Sequence, residues 1–157
     1  TGLTTLLKIS NHLGLGCPIK YETEPNAQYN YSPTVLVDGQ HGSIPWRGHE
    51  WIGFDTSSIL FEIDLQKKKR IRHIELSFLE SHGSWIYLPK KITISVSKRK
   101  RSRVFTINEV QTEKVKFDIG KRIKTITFKI DNEISIPDGK PGAGHQPWTF
   151  IDEIVFN

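Results

Sequence analysis

Apolar residues recur at every second position through most of the chain, the spacing of a strand that buries one face. Ile59, Phe61, Ile63 and Leu65 form the first clear series, followed by Ile74, Leu76 and Phe78, and then by Ile92, Ile94 and Val96. Val115, Phe117 and Ile119 continue it, as do Ile126, Phe128 and Ile130, and the chain closes on Phe150, Ile151, Ile154, Val155 and Phe156 around Asp152 and Glu153. Weaker strand signals lie near Ile19 to Glu22 and over Val104 to Val110. Only Thr4 to Leu13 could be helical, and Asn11, Gly14 and Gly16 end it early, so residues 1–16 are expected to be a linker or the remnant of a preceding domain. Residues 17–157 are then one domain. Many short strands without a helical layer imply a sandwich or barrel.

The connections sort into two kinds. Gln66 to Arg70, Lys98 to Ser102 and Gly120 to Arg122 are short and basic. Gln40 to Ser58, Glu80 to Lys91 and Asp131 to Thr149 are long and carry all four tryptophans, Trp46, Trp51, Trp85 and Trp148. If successive strands run antiparallel, connections alternate between the two ends, which gathers the tryptophan loops at one end and the basic turns at the other.

At 157 residues the chain can bury a core without disulfides or metals, and its single cysteine, Cys17, makes no internal disulfide. The absence of methionine suggests a piece cut from a longer precursor. No apolar run approaches the roughly 18 residues of a membrane span, and Thr1 to Ser10 lacks the layout of a signal peptide. The net charge of +5 is local: residues 66 to 103 hold twelve Lys or Arg against Glu75 and Glu80. No aromatic residue interleaves the clusters Lys67 to Arg70 and Lys98 to Arg103, so they lack the stacking platforms of a single-strand groove, and nucleic acid is not expected as a partner. Basic turns also keep sandwich edges from pairing, and the same clusters could touch anionic lipid or an acidic polysaccharide.

Catalysis by these residues is not expected. Asp152 and Glu153 are adjacent, so on a strand they point to opposite faces and cannot share a substrate atom. The six histidines, at 12, 41, 49, 73, 82 and 145, show no paired ligand spacing.

Several stretches taken together resemble a known group of modules. Asn11 to Gly16 followed by Ile19 to Glu22 resembles the junction after the barrel of bacterial family 20 glycoside hydrolases. Leu36, Val37, Asp38, Gly39 with Gly42 and Ser43, then Trp51, Ile52, Gly53, Phe54, looks like the Leu-x-Asp-Gly and Trp-x-Gly-Phe pair of their accessory modules. Ile63–Asp64–Leu65, the run Ser77 to Leu79 with Ser84 to Pro89, and Gly142, Ala143, Gly144 with Trp148, Phe150, Asp152, Glu153 and Ile154 complete the set. These modules are similar to the discoidin group, which includes the coagulation factor V/VIII type C domains and the family 32 carbohydrate-binding modules.

The resemblance implies an all-β, galactose-binding-like jelly-roll sandwich of about eight antiparallel strands with ligand loops at one end. It further implies a non-catalytic accessory module of a secreted β-hexosaminidase-like enzyme, placed outside the cell, in the periplasm or at the cell surface. Its partners would be a galactose- or N-acetylhexosamine-containing glycan and the catalytic domain of the same polypeptide. The alternative is a purely structural module that packs on that domain and binds nothing.

A pyranose offers a C–H face that stacks on an aromatic ring, and hydroxyls that need fixed donors and acceptors. The expected glycan residues are Arg47, Glu50 and Trp51, His82 with Trp85, and His145 with Trp148. Trp51 could equally plug the sandwich end, and Trp85 could pack inward. The resemblance also implies one structural calcium ion between the Asp-Gly turn and the last strand, with Asp38 and Glu153 as carboxylates and backbone carbonyls near Gln40 and Ser43. Gln40 stands where relatives often carry a further acid.

Overall fold

The computed structural model of the chain describes residues 11–30, 32, 34–42, 51–98 and 101–157. Seven strands make up the fold: β1 (Ile19–Tyr21), β2 (Ile52–Phe54), β3 (Ser58–Phe78), β4 (Lys91–Lys98), β5 (Arg101–Ile107), β6 (Lys114–Asp131) and β7 (Thr149–Phe156). Every pairing is antiparallel, in the order β2–β7–β3–β6–β4–β5 with β1 on β3. Among the described residues the only helical pieces are three single 3-10 turns, at Ala27–Tyr29, Val35–Val37 and His82–Ser84. None of their helices is long and apolar enough to cross a membrane.

The two long strands explain how one hydrogen-bonded array becomes two layers. The first half of β3 pairs with β1 and the second half of β6, whereas its second half pairs with β7 and the first half of β6. Gln66, at φ 71°, and Gly120, at φ 61°, mark the corner, beside register shifts between Asp64 and Lys69 and between Ile71 and His73. An extra residue in a bulge changes which parity faces inward. Accordingly Ile59, Phe61, Ile63, Leu65 and Ile71 are buried before the second shift, and Ile74, Leu76 and Phe78 after it. In β6 the buried set changes likewise from Val115, Phe117, Ile119 and Ile123 to Ile126, Phe128 and Ile130. Phe128 joins the layers, stacked on Phe61 at 5.1 Å and edge-on to Phe156 of β7 at 6.3 Å.

This corrects two expectations from the sequence. Gln66 to Arg70 and Gly120 to Arg122 are bends inside continuous strands, because Lys69 pairs with Ile123 and Arg70 with Arg122 across the corner. The segments expected as separate strands therefore merge. The opposition of the two ends holds nevertheless. The corner and the β4–β5 hairpin, closed by Lys98 opposite Arg101, lie at one end. At the other, Asp131 pairs with Ser58 and Lys91, and the connections 79–90 and 132–148 emerge there. The six residue-to-residue steps from Ser58 to Asp64 separate the ends by about 20 Å.

Residues 11–16 pack on the sandwich although the sequence reads as a lead-in; residues 1–10 lie outside the described residues. Leu13 N–H donates to the Phe156 carbonyl at 2.9 Å, and Gly14 lies so close to the Phe156 ring that a β-carbon would collide with it.

Candidate functional site

Two connections build the loop end. Ser81 and Ile86 exchange backbone hydrogen bonds of 2.9 and 3.0 Å, which pinches 81–86 into a tight loop. Trp85 closes it in the left-handed region at φ 62°, a conformation that a bulky side chain adopts only when its surroundings hold it there. Trp148 N–H donates to the Trp85 carbonyl and Tyr87 N–H to the Trp148 carbonyl, which lays 85–87 against the start of β7. Alternation then turns Ile86 into a small core with Trp51, Leu79 and Phe150. In the second loop, Ile136 N–H donates to the His145 carbonyl and Gly144 N–H to that of Ile136. Gly142, at φ 84°, faces Trp85, and no β-carbon would fit between them. Asn132, buried at the base, donates to the Thr149 hydroxyl at 2.9 Å and accepts from Glu133 N–H at 2.8 Å.

Between these loops opens a cleft of about 400 Å³. Its aromatic wall is Tyr87, with the His82 ring stacked on it at 4.2 Å and the Tyr87 hydroxyl donating to the Pro141 carbonyl at 2.7 Å. Its polar rim holds Glu80, His82, Lys90, Gln111, Glu133 and Lys140. Glu80 lies 3.2 Å from His82 and Lys90 lies 3.3 Å from Glu133. Alongside, the Trp85 indole is 37 % exposed and stacks on His145 at 4.3 Å. Leu88, Pro89, Pro137 and Pro147 give the cleft an apolar lining beside its carboxylate and ammonium groups. That combination suits a ligand with one apolar face and many hydroxyls.

The expected glycan residues separate on inspection. His82, Trp85 and His145 come together at this end. Trp51 does not: only 4 % exposed and packed with Leu79, Ile86 and Phe150, its indole is core and offers no face to a ligand. Trp148 is half-buried, edge-on to Tyr29 at 5.4 Å and to Phe150 at 6.0 Å, and borders a separate niche of about 100 Å³. Arg47 and Glu50 lie outside the described residues. The sequence reading missed Tyr87, Glu80, Lys90 and Lys140 as cleft residues; the spacing of Trp85, Ile86 and Tyr87, with the aliphatic residue inward, was the available signal.

The expected calcium residues surround a buried pair. His12 Nδ1 accepts from the N–H groups of Gly14 at 3.1 Å and Phe156 at 3.4 Å. This network assigns the ring proton to Nε2, which donates to Glu153 Oε2 at 2.6 Å. Gly39 N–H donates to the same oxygen at 2.9 Å, whereas the buried Oε1 has no hydrogen-bond partner. Burial, reinforced by Asp38 and Asp152, pushes the Glu153 carboxyl up to about 9. Burial, with His41 nearby, lowers His12 to about 4. Asp38 Oδ1 also accepts from Gln40 N–H at 2.8 Å, bracing its own turn.

A buried carboxyl with one oxygen unmatched by any donor, close enough to Asp38 for that carboxylate to push its pKa up, fits a hard cation, which would neutralise both. Among the described residues no three His, Cys, Asp or Glu side chains group at ligand spacing. Further oxygens would have to come from backbone carbonyls near Gln40 and Ser43, the latter outside the described residues.

Neither a family model nor a curated protein sequence matches the chain. Solved structures do. A Clostridium perfringens module, CpGH89CBM32-4, in complex with GlcNAc-α-1,4-galactose is 14 % identical with a TM-score of 0.65, covering 99 % of this chain and 100 % of the other. The lectin domain of lectinolysin, complexed with Lewis B antigen, is 10 % identical with a TM-score of 0.66 over 95 % of this chain and 97 % of its own. A Streptococcus pneumoniae fucose-binding module is 11 % identical with a TM-score of 0.64 over 94 % and 97 %. At such identities the likeness establishes the fold: a jelly-roll sandwich like those of glycan-binding modules.

Proposed function

We propose that the chain is a non-catalytic glycan-binding module that seats a sugar in the cleft between the connections 79–90 and 132–148. The cleft itself carries the reading: a Tyr87–His82 stack on one wall and paired charges on the rim, at the end of a fold shared with modules whose names record glycans. The half-exposed His82 ring, backed by the buried Tyr87, and the Trp85 indole supply faces for the C–H side of a pyranose. Glu80 and Glu133 accept from its hydroxyls, and Lys90 and Lys140 donate to them. A single stacked sugar in an open cleft yields about 4 to 6 kcal/mol, a dissociation constant between roughly millimolar and tens of micromolar. Tethering to a catalytic domain makes such weakness tolerable, because the linked site raises the effective concentration.

On this reading the parent is a secreted glycoside hydrolase of the β-hexosaminidase kind, and the ligand contains galactose or an N-acetylhexosamine. One calcium ion, held by Asp38 and Glu153, neutralises the buried acids and fastens the Asp-Gly turn to β7. Glycan-array binding compared between the wild type and His82→Ala tests the site. Loss of galactosyl or N-acetylhexosaminyl signals in the variant, with an unchanged melting temperature, is expected. An identical pattern in both proteins places any binding elsewhere, and an empty array leaves the structural-module alternative.

A further inference from the structure

The corner of the sandwich, opposite the loop cleft, concentrates positive charge in a way that solubility does not require. Lys67, Lys68, Arg70 and Arg72 of β3 are exposed, as are Arg122 and Lys124 of β6. Arg70 and Arg122 are direct cross-strand partners. Like charges in that position repel and destabilise a sheet. Among the described residues no carboxylate pairs with either: Asp118 is taken by His73 at 2.8 Å, and Asp64 accepts from Gln66 N–H at 2.7 Å. Arg70 and Arg72 also line a groove of about 640 Å³ with His73, Leu13 and Asn157. Lys69, the one basic residue of this run that turns inward, braces the groove's edge by donating to the Leu13 carbonyl at 2.8 Å.

We propose that this corner is a second binding site, for a polyanionic polysaccharide whose sulfate or carboxylate groups lie across Arg70, Arg122 and Arg72. Two guanidinium forks side by side match the planar, bidentate geometry of such anions. The anion also relieves the Arg70–Arg122 repulsion that the bare fold carries. The surroundings favour a polysaccharide over other polyanions. Among the described residues, the aromatic rings at the groove are the buried His12 and Phe156 and the single imidazole of His73, which Asp118 already engages, so there is no series of exposed rings on which successive bases of a single strand could stack. The adjacent apolar side chains, Leu13 at 44 % and Leu15 at 38 % exposure, are two half-covered leucines, too little apolar surface to anchor the chain in a bilayer. The proposal does not depend on the loop cleft.

Calorimetric titration of the full chain with heparin, polygalacturonate, neutral dextran, duplex DNA and phosphatidylserine-containing vesicles tests it. Binding to heparin or polygalacturonate, weakening at least about tenfold between 50 and 200 mM salt, is expected because several charges release counterions together. The double variant R70E/R122E should weaken it at least tenfold, and Trp85→Ala should leave it unchanged. Arg122→Glu alone should raise the melting temperature while weakening heparin, since it replaces repulsion by attraction opposite Arg70. Tighter binding to DNA or vesicles than to either polysaccharide overturns the proposal. So does the absence of polysaccharide binding, or heparin affinity that ignores R70E/R122E.

Discussion

Replacing Glu153 by glutamine isolates the buried pair at the heart of the calcium proposal. In metal-free buffer the folded carboxyl is held protonated up to about 9, against an ordinary value of 4.5, chiefly by burial. The folded state therefore binds one more proton than the unfolded chain between those values, and stability falls as pH rises through that window. His12 acts oppositely: lowered from 6.5 to about 4, it contributes stability that is present above 6.5 and lost as pH falls. Below 6.5 the two slopes offset each other, and above it only Glu153 titrates. At roughly 1.4 kcal/mol per pH unit, the wild type loses about 3 kcal/mol from pH 6.5 to pH 9. The amide in Glu153→Gln keeps an oxygen for His12 Nε2–H and Gly39 N–H but has no proton to lose, so the variant lacks this slope. The assay is urea unfolding of both proteins in chelated buffer across that range, taken as a difference so that other titrating groups cancel. Millimolar calcium should flatten the wild-type slope and leave the Glu153→Gln variant unaffected. A wild-type-minus-variant difference that stays constant from pH 6.5 to 9 refutes the reasoning.

Trp51→Ala should cost about 3–5 kcal/mol by opening a cavity against Phe150 and Ile86, measured by chemical denaturation. Trp85→Ala removes the His145 stack and the Gly142 contact and should cost about 1–3 kcal/mol while weakening sugar binding at least tenfold. Gly120→Ala forces a β-carbon into the left-handed region at φ 61° with no collision, and should cost about 1–2 kcal/mol in the same denaturation assay.

The sequence made the layers legible because each strand buries one face, and alternation records that directly. It concealed the corner. A run such as Gln66 to Arg70 interrupts the apolar pattern whether the chain turns back or bends through a bulge, and only the register of Arg70 against Arg122 distinguishes them. The end at which the loops gather was readable from strand parity, but the role of each ring was not. Trp51 and Trp85 both sit near glycine in polar loops; burial of the first depends on Leu79, Ile86 and Phe150, far along the chain. His12 shows the same limit, since nothing local marks it as the partner of a carboxylate 141 residues away.

The most direct test of glycan binding is an amide NMR titration of the wild-type chain with galactose, N-acetylgalactosamine and N-acetylglucosamine. Saturable shifts between millimolar and tens of micromolar sugar are expected at His82, Tyr87, Lys90, Asn132 and Lys140, with Arg70 and Arg122 unmoved. No shift in the cleft at tens of millimolar of any of the three, or shifts confined to the corner, would contradict the account.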